Sequence, residues 1–258
     1  MKQQYRDFAI TLAKQAGAIM RQNFTLGMKR EWKGDGTPLT ATDTTINQLV
    51  LEAVKKEYPE HGVIAEEGNN YNEQAYVWVC DPIDGTIQFS HGLPNFTFCL
   101  ALVRDGVSLL GVIYDPMLDR MMVAERGQGA FLNGQPAHVS KSTWTDRLLM
   151  TREGLRHTTK YDLDEVMRTL AARKITMLQL YGSGYGGMLV ALGELDGLIS
   201  TGHDPWDYAA VKVIVEEAGG KVTDLFGHDP RWDKPVQGTL ASNGILHDEI
   251  LSVLNLKA

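Results

Sequence analysis

Apolar residues recur at helical spacing through Phe8, Leu12, Ala16, Ile19 and Met20, so the chain opens with an amphipathic helix over residues 2–24 whose apolar stripe is core. Residues 33–38, carrying Gly34, Gly36 and Pro38, break that pattern as a loop or hairpin. Helical spacing returns with Ile46, Leu49, Val50, Ala53 and Val54, behind the cap residues Thr42 and Asp43 and ahead of Pro59. Residues 61–65 and 76–80 are short β-prone runs; the first delivers Glu66 and Glu67 to its end, the second runs into Asp81. Strands follow at 96–103 and 107–114 around Arg104-Asp105-Gly106, and at 121–124 and 130–132 ahead of Asn133-Gly134. Consecutive hairpins of this kind build an antiparallel sheet.

The pattern changes at about residues 143–159, where polar positions dominate and a boundary is expected. A helical repeat at 162–172 and a strand at 175–180 lead to the glycine-rich junction of residues 182–187. That junction lacks the lysine of a P-loop and the spacing of a dinucleotide fingerprint, so close packing is a better account of it than a phosphate cradle. A strand at 198–201 precedes a helix at 206–218, which starts after Pro205 and stops at Gly219-Gly220. A strand at 239–242 and a helix at 245–256 close a layered protein of helices and sheets.

Composition narrows the picture only at a few points. The 258 residues suffice to bury a substantial core, and 43% hydrophobic with 22% charged residues is ordinary for a soluble globular chain. A formal net charge of −7 argues against a nucleic-acid partner. The first ten residues lack the apolar core of a signal peptide and no apolar run approaches membrane-spanning length, so a cytoplasmic protein is expected. Cys80 and Cys99 lie inside apolar runs and read as buried small residues.

Chemistry concentrates in residues 78–89, where an apolar run ends on Asp81-Pro82-Ile83-Asp84-Gly85-Thr86. On a tight turn or a first helical turn, Asp81 and Asp84 fall on one side, Gly85 lets backbone approach a ligand, and Thr86 adds a hydroxyl beside free N–H groups. Clustered carboxylates are stable when they hold a cation, and oxygen-only donors favour magnesium, manganese or calcium. Each acid also has a structural alternative: Asp81 and Asp84 as helix caps, Asp43 as a cap, Asp207 as a helix-dipole partner, and Glu66 with Glu67 as a solvated turn.

Three ordered segments resemble the inositol monophosphatase superfamily of magnesium-dependent, lithium-sensitive sugar phosphatases. They are Ala65-Glu66-Glu67-Gly68, the string from Asp81 to Thr86, and Pro205-Trp206-Asp207-Tyr208-Ala209-Ala210 with Glu217-Ala218-Gly219-Gly220. The resemblance implies an α+β layered fold, an αβαβα sandwich, with an N-terminal part over residues 1–142 and a C-terminal part over 143–258 acting as one catalytic unit. It implies two or three Mg²⁺ ions per site, held by Glu66, Asp81, Asp84, Asp207 and the Ile83 carbonyl. Gly85 and Thr86 would hold phosphate, and Asp43 with the Thr86 hydroxyl would orient and deprotonate the attacking water, with Glu66 assisting catalysis. A homodimer acting on a small phosphorylated metabolite completes the expectation.

The resemblance loosens in the sugar pocket, for which Ser183, Gly184, Tyr185 and Ser200 are the candidates. Inositol-specific relatives carry an acid at the position of Ser200 and an asparagine at that of Gln88. Residues 33–38 and the Tyr185-Gly186 pair look more like relatives acting on histidinol phosphate or 3′-phosphoadenosine 5′-phosphate. An inositol-1-phosphatase-like enzyme therefore competes with a histidinol, nucleotide or fructose 1,6-bisphosphate phosphatase, and with a regulatory protein- or RNA-associated factor on the same scaffold.

Overall fold

The computed structural model describes residues 3–27, 29, 31–34, 38–68, 73–153, 168, 170–172, 175–178 and 182–254. The two N-terminal helical repeats form α1 (Gln3–Asn23) and α2 (Ala41–Glu57). Between them β1 (Glu31–Trp32) and β2 (Pro38–Leu39) pair as an antiparallel hairpin. A seven-stranded sheet then runs in chain order through β3 (Gly62–Ala65), β4 (Tyr76–Asp84), β5 (Thr97–Arg104), β6 (Val107–Asp115), β7 (Arg120–Glu125), β8 (Gly129–Leu132) and β9 (Gln135–Ala137). In this sheet β3 and β4 pair in parallel and the other neighbours antiparallel, with Arg104-Asp105-Gly106 and Asn133-Gly134 turning the β5–β6 and β8–β9 hairpins. A short helix, α3 (Thr86–Ser90), follows β4 directly.

The second sheet has five strands in the order β11–β10–β12–β14–β13 and is mixed. Here β10 (Leu149–Glu153) lies parallel to both β11 (Thr176–Leu178) and β12 (Gly197–Ser200), while β14 (Thr239–Ser242) is antiparallel to β12 and to β13 (Lys221–Thr223). Among the described residues the helices α4 (Ser183–Ala191), α5 (Pro205–Glu217) and α6 (His247–Leu254) accompany it. Two strands go beyond the sequence reading: β10, inside the stretch 143–159 that polarity marks, and β13. Most of the helix expected at 162–172 lies outside the described residues, with residues 168 and 170–172 helical. Residues 179–180 of the strand expected at 175–180 also lie outside them.

Alternation within the strands sorts the core into layers. Trp78, Cys80, Leu100, Leu102, Leu110 and Val112 pack with Leu12, Ala16, Met20, Ile46 and Val50 of α1 and α2. From the other face of the same strands Val77, Val79, Cys99, Ala101 and Val103 meet Met188 of α4, Tyr208, Val211 and Ile214 of α5, and Leu198 and Ala241 of the second sheet. The far face of that sheet, with Met150, Ile199 and Leu240, buries Leu246, Ile250 and Leu254 around α6. The order is helices, sheet, helices, sheet, helix, the expected αβαβα sandwich. Cys80 and Cys99 are free and buried on opposite faces of the first sheet. Among the described residues no helix is long and apolar enough to cross a membrane.

Candidate active site

The site grows from the end of β4. Asp81 pairs with Cys99 and Asp84 with Thr97 across the β4–β5 ladder, and the register shifts between them. Of the tight turn and the first helical turn expected for Asp81 and Asp84, the helical one is not found: the two acids stand on a bulged strand end, where an inserted residue re-aims side chains. Asp81 Oδ1 accepts the Ile83 N–H at 2.9 Å, which folds the bulge back on itself. Gly85 then takes φ +92°, where a side chain is strained, and α3 starts at Thr86.

Asp43 arrives from the first turn of α2. Thr40, and not Thr42, is the N-cap; its N–H donates to Asp43 Oδ2 at 2.9 Å and its hydroxyl to the same oxygen at 2.5 Å, closing a capping box. The other oxygen, Oδ1, accepts the Thr86 hydroxyl at 3.1 Å. Asp43 thus caps a helix and reaches Thr86 at once. Burial pushes its carboxyl up to about 6, against the hydrogen bonds from Thr40.

Glu66 leaves the end of β3, with its N–H on the Cys80 carbonyl at 3.3 Å. Lys33 bridges Glu66 and Glu67, with Nζ at 2.7 Å and 2.5 Å from their Oε1 atoms. Burial alone would lower the Lys33 pKa, but the two glutamates outweigh it and hold the ammonium above its ordinary value. Asp207 enters from the first turn of α5, behind Pro205. Burial, then Glu66, Asp84, Asp207 and Asp43, push Asp81 well above the carboxylate range. Burial, then Glu153, Glu66 and Asp84, do the same to Asp207. The structure therefore brings Asp43, Glu66, Asp81, Asp84 and Asp207 within one electrostatic neighbourhood, with Asp43, Asp81 and Asp84 buried and Glu66, Thr86 and Asp207 partly open.

The glycine-rich junction packs closely, as its sequence suggests. A Cβ at Gly184 would overlap Cys99 Sγ and stand 2.9 Å from Thr97 Oγ1 and 3.1 Å from Asp84 Oδ2. At Gly187 it would stand 2.6 Å from Val211 of α5. This proximity sets Asp84 Oδ2 to accept the Tyr185 N–H at 3.1 Å and the Thr97 hydroxyl at 2.9 Å. The Tyr185 side chain goes elsewhere: its hydroxyl accepts from Arg120 at 2.7 Å and the guanidinium lies 5.3 Å above its ring. Ser183 and Ser200 both donate to Oε2 of Glu153, and Ser200 shares a 2.8 Å bond with the Tyr208 hydroxyl.

Glu153 is the residue that sequence reasoning passed over, while Lys33 enters there only within the segment 33–38 and not as a partner of Glu66 and Glu67. The apolar run Leu148-Leu149-Met150 ahead of Glu153 was the available signal, but a five-residue strand bordered by polar residues reads as a linker. Glu153 stands opposite Ser200 in the β10–β12 register, one strand away from where the resemblance leads one to expect an acid. Burial and then Asp84 push its carboxyl up to about 7.

The donor set suits a hard divalent cation. Glu66, Asp81, Asp84, Asp207 and the Ile83 carbonyl are all oxygens, and their mutual repulsion is what a bound cation relieves. Among the described residues no three acidic, histidine or cysteine side chains are already closed into a cage; the Lys33 ammonium meets Glu66 and Glu67 instead.

Known proteins share this arrangement of elements. A fructose-1,6-bisphosphatase/inositol-1-monophosphatase of Thermotoga maritima is 34% identical over 96% of this chain and 95% of its own. A histidinol-phosphatase of Mycobacterium tuberculosis is 33% identical over 96% of each. The crystal structure of an IMPase/NADP phosphatase complexed with Mg²⁺ and phosphate superposes with a TM-score of 0.85 at 26% identity, covering 99% of this chain and 97% of that one. The inositol monophosphatase family model matches residues 1–256, so the chain belongs to the inositol monophosphatase family and is a phosphomonoester hydrolase.

Proposed function

We propose that the chain hydrolyses a small phosphate monoester by direct attack of water, with Mg²⁺ as its metal, on the pattern of an inositol-1-phosphatase. The observation that carries this reading is the Asp43–Thr86 pair, 3.1 Å apart, set beside four further carboxylates. Mg²⁺ held by Glu66, Asp81, Asp84, Asp207 and the Ile83 carbonyl would neutralise the ester's charge and acidify a water, in two or three ions per site. The Thr86 hydroxyl orients that water, and its proton passes through Thr86 Oγ1 to Asp43 Oδ1. The N–H groups of Gly85 and Thr86 hold phosphate oxygens, and Ser183, Gly184 and Ser200 border the leaving group. Residues 1–142 and 143–258 act as one catalytic unit, in the cytoplasm and as a homodimer.

A second reading, histidinol phosphate as substrate, draws on the mycobacterial relative, whose identity of 33% is close to the 34% of the Thermotoga maritima one. The test is phosphate release with Mg²⁺ from inositol 1-phosphate, histidinol phosphate, fructose 1,6-bisphosphate and 3′-phosphoadenosine 5′-phosphate. Turnover of inositol 1-phosphate above the others supports the first reading; no Mg²⁺-dependent release from any of the four sinks it and leaves a regulatory role.

A further inference from the structure

We propose that Glu153 selects phosphate esters whose leaving group carries a hydrogen-bond donor beside the ester oxygen, an alcohol hydroxyl or an ammonium, over esters that lack one. The inference rests on the phosphatase reading and names the substrate class of that same site. Its basis is the position of Glu153 at the end of β10, opposite Ser200 in the parallel register with β12. Ser183, the first residue of α4, donates its hydroxyl to Glu153 Oε2, while two residues on the Tyr185 N–H donates to Asp84. Glu153 and Asp84 therefore share one helix start; the charge of Asp84 acts on Glu153, and that of Glu153 on Asp207.

The use of the two carboxylate oxygens is unequal. Oε2 takes the hydroxyls of Ser183 and Ser200, whereas Oε1 accepts from no described residue. No lysine, arginine or histidine among the described residues forms an ion pair with Glu153, although it is half-buried and stands beside other acids. Repulsion and desolvation make that an unfavourable place for a carboxylate unless a ligand supplies the missing donor. A structural role would not need the charge, since a glutamine there accepts the same two serine hydroxyls without repelling Asp84 and Asp207. Glu153 and Asp207 are both partly exposed and close enough for the charge of one to act on the other, so a leaving group seated at these acids meets Glu153.

The test compares wild type, Glu153→Gln and Glu153→Ala, all with Mg²⁺, on three esters: phenyl phosphate with no donor on its leaving group, inositol 1-phosphate with an uncharged polyol leaving group, and the ammonium-bearing histidinol phosphate. Glu153→Ala should lower kcat/KM for a donor-bearing ester about 10-fold relative to phenyl phosphate, mostly as a rise in KM, because the contact lies away from the reacting atoms. Glu153→Gln keeps the serine contacts and the shape. It should penalise histidinol phosphate more than inositol 1-phosphate if an ammonium is the natural donor, and both equally and mildly if hydroxyls are. A ratio of donor-bearing to donor-free kcat/KM that stays within about twofold in both variants overturns the role of Glu153 while leaving the phosphatase intact. Absence of hydrolysis of all three esters by the wild type overturns the phosphatase reading, and this inference with it.

Discussion

Asp43→Asn separates the two duties that the structure gives one side chain. In the native site Oδ2 closes the capping box with Thr40 and Oδ1 accepts the Thr86 hydroxyl. An asparagine can turn its carbonyl to Thr40 and keep the cap. Its amide then faces Thr86, whose hydroxyl must give its proton to the Ile83 carbonyl, already 3.0 Å away. The cap survives, but the hydrogen bond through which Thr86 would pass a proton is reversed. Holding a carboxylate that titrates at about 6 instead of 3.8 costs the folded state about 3 kcal/mol at neutral pH. Removing that term offsets the roughly 1 kcal/mol lost with the charged cap. Metal-free Asp43→Asn should therefore melt at or above the wild-type temperature while kcat falls about 10²-fold or more. The pH profile carries the same sign: between pH about 4 and 6 the folded wild type keeps a proton that the unfolded chain releases, so its stability falls as pH rises through that window. The variant lacks this slope. Steady-state kinetics with saturating Mg²⁺ and melting between pH 4 and 7 decide it, and a kcat within about threefold of wild type would return Asp43 to a purely structural role.

Asp84→Asn should keep the Thr97 and Tyr185 contacts through its carbonyl and leave metal-free melting unchanged or higher, yet abolish Mg²⁺-dependent hydrolysis; near wild-type turnover at saturating Mg²⁺ would refute its assignment as a ligand. Gly184→Ala forces a methyl against Cys99, Thr97 and Asp84, so denaturant melts should show a loss of about 1–3 kcal/mol, accompanied by weaker hydrolysis as Asp84 shifts. His247 is fully buried between Thr223 and Ser242, and burial, then Lys221, lowers it to about 4. The unfolded histidine takes its proton near 6.5 and the folded one only near 4, so stability present above pH 6.5 should fall by about 2–3 kcal/mol on acidification to pH 4; His247→Gln should flatten that part of the melting profile. Glu66→Gln should raise the Mg²⁺ concentration needed for activity and blunt inhibition by Li⁺ together, and a Li⁺ titration showing purely competitive inhibition in the wild type would remove the basis for that link.

The sequence by itself determined most of the elements and the family. Periodicity is local, so the repeat from Phe8 to Met20 and the alternation from residue 96 to 114 specify a helix and a hairpin without reference to the rest of the chain. The string from Asp81 to Thr86 is contiguous and marks its chemistry wherever it folds. Tertiary structure alone decided that Asp81 and Asp84 stand on a bulge, since a register shift belongs to the β4–β5 pair and not to either strand. The cap at Asp43 was legible in the sequence and its pairing with Thr86 in the resemblance, but only the fold puts both on one carboxylate, with Oδ2 on Thr40 and Oδ1 on Thr86, 43 positions away. It also supplied the reason for the glycines of α4: the obstacles to a Cβ there are Cys99, Asp84 and Val211, from other elements. Glu153 is the extreme case. Nothing within five residues of it signals chemistry, and its interest arises from a parallel strand pairing that sets it opposite Ser200 and beside the start of α4. Pairing between distant segments is settled by packing of the whole core, which no window of sequence contains.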